Sequence, residues 1–159
     1  MIRLTDDVIE VLIDEPKPLP SGYRETLIGK KMKKEDLHKR SELPITGTQD
    51  SVFHIKVRQS TINPLNFSVI LAYEFKETTG LFLLRRYNGK SHEHTNKIEG
   101  NRFRDFHIHY ATERYQAKGF SEEAYAEVAN SYSDLGGALN RMISDCQCLL
   151  PPDEPAILL

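Results

Sequence analysis

The chain has 159 residues, 39% of them hydrophobic and 28% charged, with a formal net charge of −2. Such a chain folds as one soluble globular domain with its own core, which excludes a disordered polypeptide. No apolar run approaches the roughly 18 residues of a membrane helix, which excludes a helical membrane protein.

The N-terminal sequence MIRLTDDVIE carries acids where a secretory signal carries bases ahead of an apolar run, so the cytoplasm is the expected compartment. Thr5 is placed to cap a short helix with Asp6 and Asp7 in its first turn, where the helix dipole favours negative charge. Val8, Ile9, Leu12 and Ile13 give that helix one apolar face, and Pro16, Pro18 and Pro20 end it in an extended connector. Between Tyr23 and Leu43 the stretch GKKMKKEDLHKRSEL holds six bases against three acids. It reads as a solvated helix or hairpin surface, or as a patch that faces phosphate.

After Gly47 the period changes to two. Phe53, Ile55 and Val57 alternate with His54, Lys56 and Arg58, and Phe67 to Lys76 and Leu81 to Tyr87 continue as strands joined by Glu77 to Gly80. Asn88-Gly89 is a turn signal, and Asp105 to Tyr110 reads as a further short strand. Ser121 with Glu122 and Glu123 reads as the start of one helix, carrying Tyr125, Val128, Ala129 and Tyr132 on one face. Asp134 caps a second, with Leu135, Ala138, Leu139, Met142, Ile143 and Cys146 as its stripe. Cys146 and Cys148, two apart, read as reduced thiols near a helix end.

The expected fold is therefore α+β: an antiparallel sheet of about four strands, with an N-terminal helix and two C-terminal helices packed on one face. It forms a single domain over residues 1–159. The N-terminal helix and Pro-rich connector fill 1–20, the sheet with a histidine-rich stretch 51–116, the two helices 121–148 and a tail 152–159. Charge is uneven: from Phe120 onward there are seven acids and one base, while the preceding part holds 20 bases and 16 acids. A basic body with an acidic end is compatible with binding an anion or RNA on one side.

Four of the six histidines fall between His92 and His109, as two His-x-His pairs. On a strand, residues two apart share a face, so His107 and His109 project together while Ile108 points to the core. Arg85 and Tyr87 share one face of the preceding strand and Arg86 lies on the other. Metal-free cleavage of a phosphodiester needs a general base, a general acid and cations for the developing charge. His92, His94, His107 and His109 suit the first two tasks. Arg85, Arg86 and Arg114 suit the third, with Tyr87 positioning the phosphate and Glu113 as a further catalytic acid. That reading needs no cofactor. The alternative is a divalent-metal site, in which His92, His94, His107 and His109 supply imidazoles to a metal-dependent hydrolase. Histidines that merely bond to main chain or carboxylates are the third reading. Asn96 and Glu99 read as turn and solvent residues.

The series RQSTINPLNFSVIL, RRYNG, HEHTN and HIHYATERYQ resembles an uncharacterised family of bacterial and phage proteins, from about Phe53 to Cys148. The layout of Val52 to His109 is also similar to the TumE-like toxins of bacterial toxin–antitoxin modules. There, meander strands run through an arginine- and tyrosine-bearing strand into a histidine-rich stretch. The second resemblance implies an RNA-directed, toxin-type ribonuclease. The Thr95 to Phe106 insertion and the two C-terminal helices depart from it. Expected partners are RNA, or a protein such as an antitoxin or a host or phage protein. The alternative outside enzymes is a non-catalytic protein-binding module.

Overall fold

The computed structural model describes residues 2–154. In chain order these form α1 (Asp6–Asp14), β1 (Lys17–Pro18), α2 (Tyr23–Ile28), β2 (Lys33–Glu35), β3 (His38–Thr46), β4 (Val52–Ser60), β5 (Phe67–Glu74) and β6 (Leu81–Asn88). There follow β7 (His94–Thr95), β8 (Arg102–Phe103), β9 (His107–Tyr110), α3 (Glu113–Ala117), β10 (Ala126–Val128), α4 (Leu135–Asp145) and β11 (Cys148–Leu149).

The period-two pattern of β4, β5 and β6 builds the centre of an antiparallel sheet whose strand order is β10-β9-β6-β5-β4-β3-β2. The expectation of about four strands and two C-terminal helices is corrected by this arrangement: among the described residues the main sheet has seven strands and there are four helices. Three features of the chain bear on the difference. The basic stretch before Gly47, read as a solvated helix or hairpin surface, follows α2 and forms the β2–β3 hairpin, which adds two strands to the sheet. Its polarity reflects an edge position, with β2 fully exposed and β3 buried only at Ile45. The segment after Ser121 is a turn followed by β10, which pairs with β9 through Ala126↔His109 and Val128↔His107. An unsatisfied strand edge there overrides the acidic helix-start signal, because main-chain donors and acceptors of a buried strand must find partners. Asn88-Gly89 makes no hairpin. Gly89 N–H still donates to the Phe67 carbonyl at 3.0 Å, and a Cβ on Gly89 would sit 1.8 Å from the Leu65 carbonyl oxygen, so glycine permits the close approach.

One face of the sheet is apolar and covered. Phe53, Ile55, Val57, Val69, Leu71 and Tyr87 pack with Ile9, Leu12 and Ile13 of α1, Leu27 of α2, and Ala138, Leu139 and Met142 of α4 in one core. The caps of α1 and α4 follow the sequence: Thr5 Oγ1 accepts from Val8 N–H at 3.2 Å and Asp134 Oδ1 from Gly137 N–H at 2.7 Å. The Pro-rich connector carries β1, which runs parallel to β11 and closes the C-terminal end of the domain. Of the expected tail, residues 155–159 lie outside the described residues. Among the described residues no helix is long and apolar enough to cross a membrane.

The opposite face is where the chemistry lies. The register sets Arg58, Ser68, Asn88 and His107 in one row across β4, β5, β6 and β9. Lys56, Ile70, Arg86 and His109 form the next row. A bulge between Leu71 and Ala72 lets β6 bury Leu84 beside the core while keeping Arg86 and Asn88 on the polar face.

Candidate metal centre

His107 and His109 project together from β9 because they are two apart on a strand, and both are almost fully buried, at 3% and 7% exposure. His94 arrives from a different element. The short β7–β8 ladder, His94↔Phe103 and Thr95↔Arg102, folds the histidine-rich stretch back over β9. The His94 ring stacks on His107 at 5.6 Å and meets His109 edge-on at 4.9 Å. One ligand nitrogen from each of the three rings lies within 4.8 Å of the other two.

Hydrogen bonds fix which nitrogen each ring offers. His107 Nδ1 is 2.8 Å from the Asp105 carbonyl oxygen and His109 Nδ1 is 2.6 Å from that of Glu123. A carbonyl only accepts, so both Nδ1 atoms carry the proton and both Nε2 atoms keep a lone pair. His94 Nε2 lies 2.8 Å from Asn96 Oδ1. That amide is held by the β10 main chain: its Oδ1 accepts from Ala126 N–H at 2.9 Å and its Nδ2 donates to the Ala126 carbonyl at 2.8 Å. Its oxygen therefore faces His94, so His94 donates from Nε2 and offers Nδ1. Three imidazoles each anchor one N–H on a fixed protein oxygen and keep the other nitrogen as an acceptor. Metal-ligating histidines are oriented in this way by their outer partners.

The two buried lone pairs are poorly satisfied by the protein itself. Both Nε2 atoms share one donor, Asn88 Nδ2, at 3.4 Å and 3.3 Å, beyond the usual range for N–H donors. Asn88 is aimed by Arg86, whose Nε donates to Asn88 Oδ1 at 2.9 Å, and the Arg86 guanidinium is neutralised by Glu123 Oε1 at 2.7 Å. Burial disfavours the charged form of His107 and His109. Burial, then the neighbouring His94 and Arg86, hold His107 below the ordinary imidazole range against the pull of the Asp105 carbonyl. Burial, followed by the other two imidazoles, brings His109 down to about 3. A neutral imidazole is the form that binds a metal ion.

The remaining expected residues are placed elsewhere. His92 is exposed and outside the cluster. Arg85 and Tyr87 lie on the covered face, where Tyr87 is fully buried with its hydroxyl donating to Asp145 Oδ2 at 2.8 Å. Arg85 sits over the Tyr110 ring and 3.8 Å from the same carboxylate. Glu113 is exposed and joins two helix starts: its N–H donates to Asp6 Oδ1 at 2.8 Å, and its Oε1 accepts from Asp6 N–H at 3.1 Å. Arg114 pairs with Glu99 and lies over Tyr115 and Tyr125. Of the candidate catalytic residues, the fold gathers His94, His107, His109 and Arg86, and it separates the other five. Asn88 and Asn96 are the residues that sequence reasoning missed. Asn96, taken as a solvent residue, is 2% exposed. Its position two after His94 was the available signal.

Residues 4–148 match the model of a family of unknown function, DUF6978. The chain belongs to this family. No curated protein and no solved structure matches the chain. The match is consistent with the resemblance to an uncharacterised family seen from Phe53 to Cys148, and it lends nothing to the TumE-like layout of Val52 to His109.

Proposed function

We propose that this member of DUF6978 is a metal-dependent hydrolase whose divalent ion, of the zinc class, is held by His94, His107 and His109. The observation that carries this reading is the orientation of the three rings: each outer N–H is fixed on a protein oxygen, and one ligand nitrogen of each ring lies within 4.8 Å of the other two. Bonds of about 2.1 Å in tetrahedral geometry separate ligand nitrogens by roughly 3.4 Å, so closing on an ion needs ring movements of little more than about 1 Å. A nitrogen-only donor set suits zinc, copper, nickel or iron better than calcium or magnesium.

An ion held by three neutral imidazoles would keep its full double charge and, with three protein ligands, would have a fourth position for water. Such an ion would supply the acidification of a bound water, whose pKa falls to about 7 in zinc sites of this kind. Arg86, in the same row as His109 and one strand away, can stabilise an anionic substrate or transition state beside that position.

Metal-free acid–base cleavage of RNA is the second reading, favoured by that same arginine beside two imidazoles. Its support is weaker, because rings this buried whose Nδ1 protons are committed to carbonyls make poor proton shuttles.

The test is titration of chelator-treated protein with Zn²⁺ and Co²⁺. One equivalent of either ion is expected to bind, and hydrolysis of bis(p-nitrophenyl) phosphate should depend on it. His107→Ala is expected to weaken binding by more than about 100-fold, beyond the effect of losing an outer partner. Absence of stoichiometric binding overturns the metal reading. RNA cleavage that persists in excess chelator and is lost in His107→Ala selects the second.

A further inference from the structure

The polar face of the sheet continues past the histidines into a cleft of about 640 Å³, lined by Lys31, Lys33, Arg40, Lys56, Arg58 and Arg86. Two acids, Glu35 and Glu42, also line it, which leaves a formal balance of six bases against two acids. Glu42 is committed to its own side: it meets His54 Nδ1 at 2.9 Å and Lys56 at 3.7 Å. Arg86 is paired with Glu123. Among the described residues, no ion pair includes Lys31, Lys33, Arg40 or Arg58. Arg58 is half-buried, and its one side-chain hydrogen bond is a long contact of 3.4 Å to Asn66 Oδ1. Burial, then the charges of Arg86 and Arg40, push its pKa below the ordinary arginine value. Arg40 and Arg58 are direct cross-strand partners on β3 and β4, and two unpaired guanidinium groups side by side, with most donors unused, are costly for the fold taken alone. An anion with several oxygens would relieve that repulsion and satisfy the donors.

We infer that this cleft is the binding site for the phosphate groups of a nucleotide-sized ligand, with Arg40 and Arg58 as its anchors and Arg86 as the link to the histidines. The volume falls in the range of small-molecule sites. Arg58 and His107 share a cross-strand row three strands apart. At about 4.8 Å per strand that is roughly 14 Å along the sheet, within reach of one extended phosphorylated molecule. The lining contains no aromatic ring for base stacking, which argues for recognition of the phosphates and against a platform for single-stranded RNA. The inference rests on the metal reading for what happens at the far end of the ligand; the anion site itself depends only on the cations.

The test uses chelator-treated, full-length protein and calorimetric titration with inorganic pyrophosphate and with ADP, so that it is independent of any metal. Both are expected to bind at the cleft and to weaken as salt is raised. Arg58→Gln and Arg40→Gln should each lower affinity by about tenfold, the scale of one lost charged contact. Lys118→Ala, which removes an exposed charge that does not line the cleft, should change nothing. Arg40 is exposed, so its variant keeps the test open if Arg58→Gln fails to fold. Failure of both probes to bind, or affinities unchanged in both arginine variants, overturns the inference while leaving the metal titration to stand. Binding of a short oligoribonucleotide but of neither small probe overturns it as well.

Discussion

The two faces of the sheet handle buried polar groups in opposite ways, and β6 shows both within four residues. Arg85 and Tyr87 point under α4, where the Tyr87 hydroxyl donates to Asp145 and Arg141 Nε bonds both oxygens of that carboxylate at 2.9 and 2.8 Å. Donors and acceptors are matched there, and the network is closed. Arg86 and Asn88 point the other way, toward three imidazoles that each keep one nitrogen as an acceptor, and the two buried ones, His107 and His109, share a single weak donor. A closed network of this kind fixes a core. A set of acceptors, each locked from outside, leaves a deficit that a cation would fill. Histidine-rich sequence alone does not separate these cases; the pairing of each ring's second nitrogen does.

The sharpest way to break the comparison is to damage the closed face and watch the open one. Tyr87→Ala removes a fully buried ring and its hydrogen bond to Asp145. The expected loss is roughly 3–5 kcal/mol, which for a chain of this size lowers Tm by roughly 6–20 °C. Well below the new Tm, the number of metal ions bound should remain one, as read by titration. A variant that melts early and also loses the metal while folded would show that the faces are coupled.

A smaller effect comes from the open face through pH. Burial holds His107 below the ordinary imidazole range and His109 at about 3. An unfolded histidine titrates near about 6.5, so below that pH the unfolded state takes up protons that the folded state refuses. In metal-free protein this contribution to stability is complete above about pH 6.5 and is lost as pH falls toward the folded value. Urea midpoints measured across that range should fall with decreasing pH, and His109→Gln should make the decline shallower. An unchanged slope in the variant means that His109 is not held neutral by its surroundings.

Much of the open face was legible beforehand because strand alternation is a local property. It put His107 with His109, sent Ile108 to the core, and separated Arg86 from Arg85 and Tyr87. What it could not supply was the partner of each strand. The arrival of His94 depends on a two-residue ladder between β7 and β8, too short to leave a pattern. The role of Asn96 depends on β10, which the acidic start at Ser121 disguised as a helix. Glu113 and Arg114 were drawn into the site by closeness in sequence to His109, but α3 turns them away toward Asp6 and Glu99. The β2–β3 hairpin was one reading of its basic stretch, but its place in the sheet was not legible: an edge hairpin with little burial has no apolar period to read, although it supplies much of the cleft.

The smallest expected effect tests the difference between two histidines of one motif. His92 and His94 are two apart, and an extended strand would aim them together. Pairing in β7 covers only His94 and Thr95, so the alternation does not reach back to His92, which lies in an exposed bend. His92→Ala should therefore alter stability by less than about 0.5 kcal/mol, as expected for an exposed side chain away from any network. Metal affinity and stoichiometry should match the parent protein, whereas His94→Ala, in the same preparation, loses an imidazole that Asn96 orients. If His92→Ala weakens binding as much as His94→Ala does, the ion draws the bend inward and takes a fourth nitrogen. A four-imidazole site has no open position for water, so the hydrolase reading would give way to a structural or storage role for the metal.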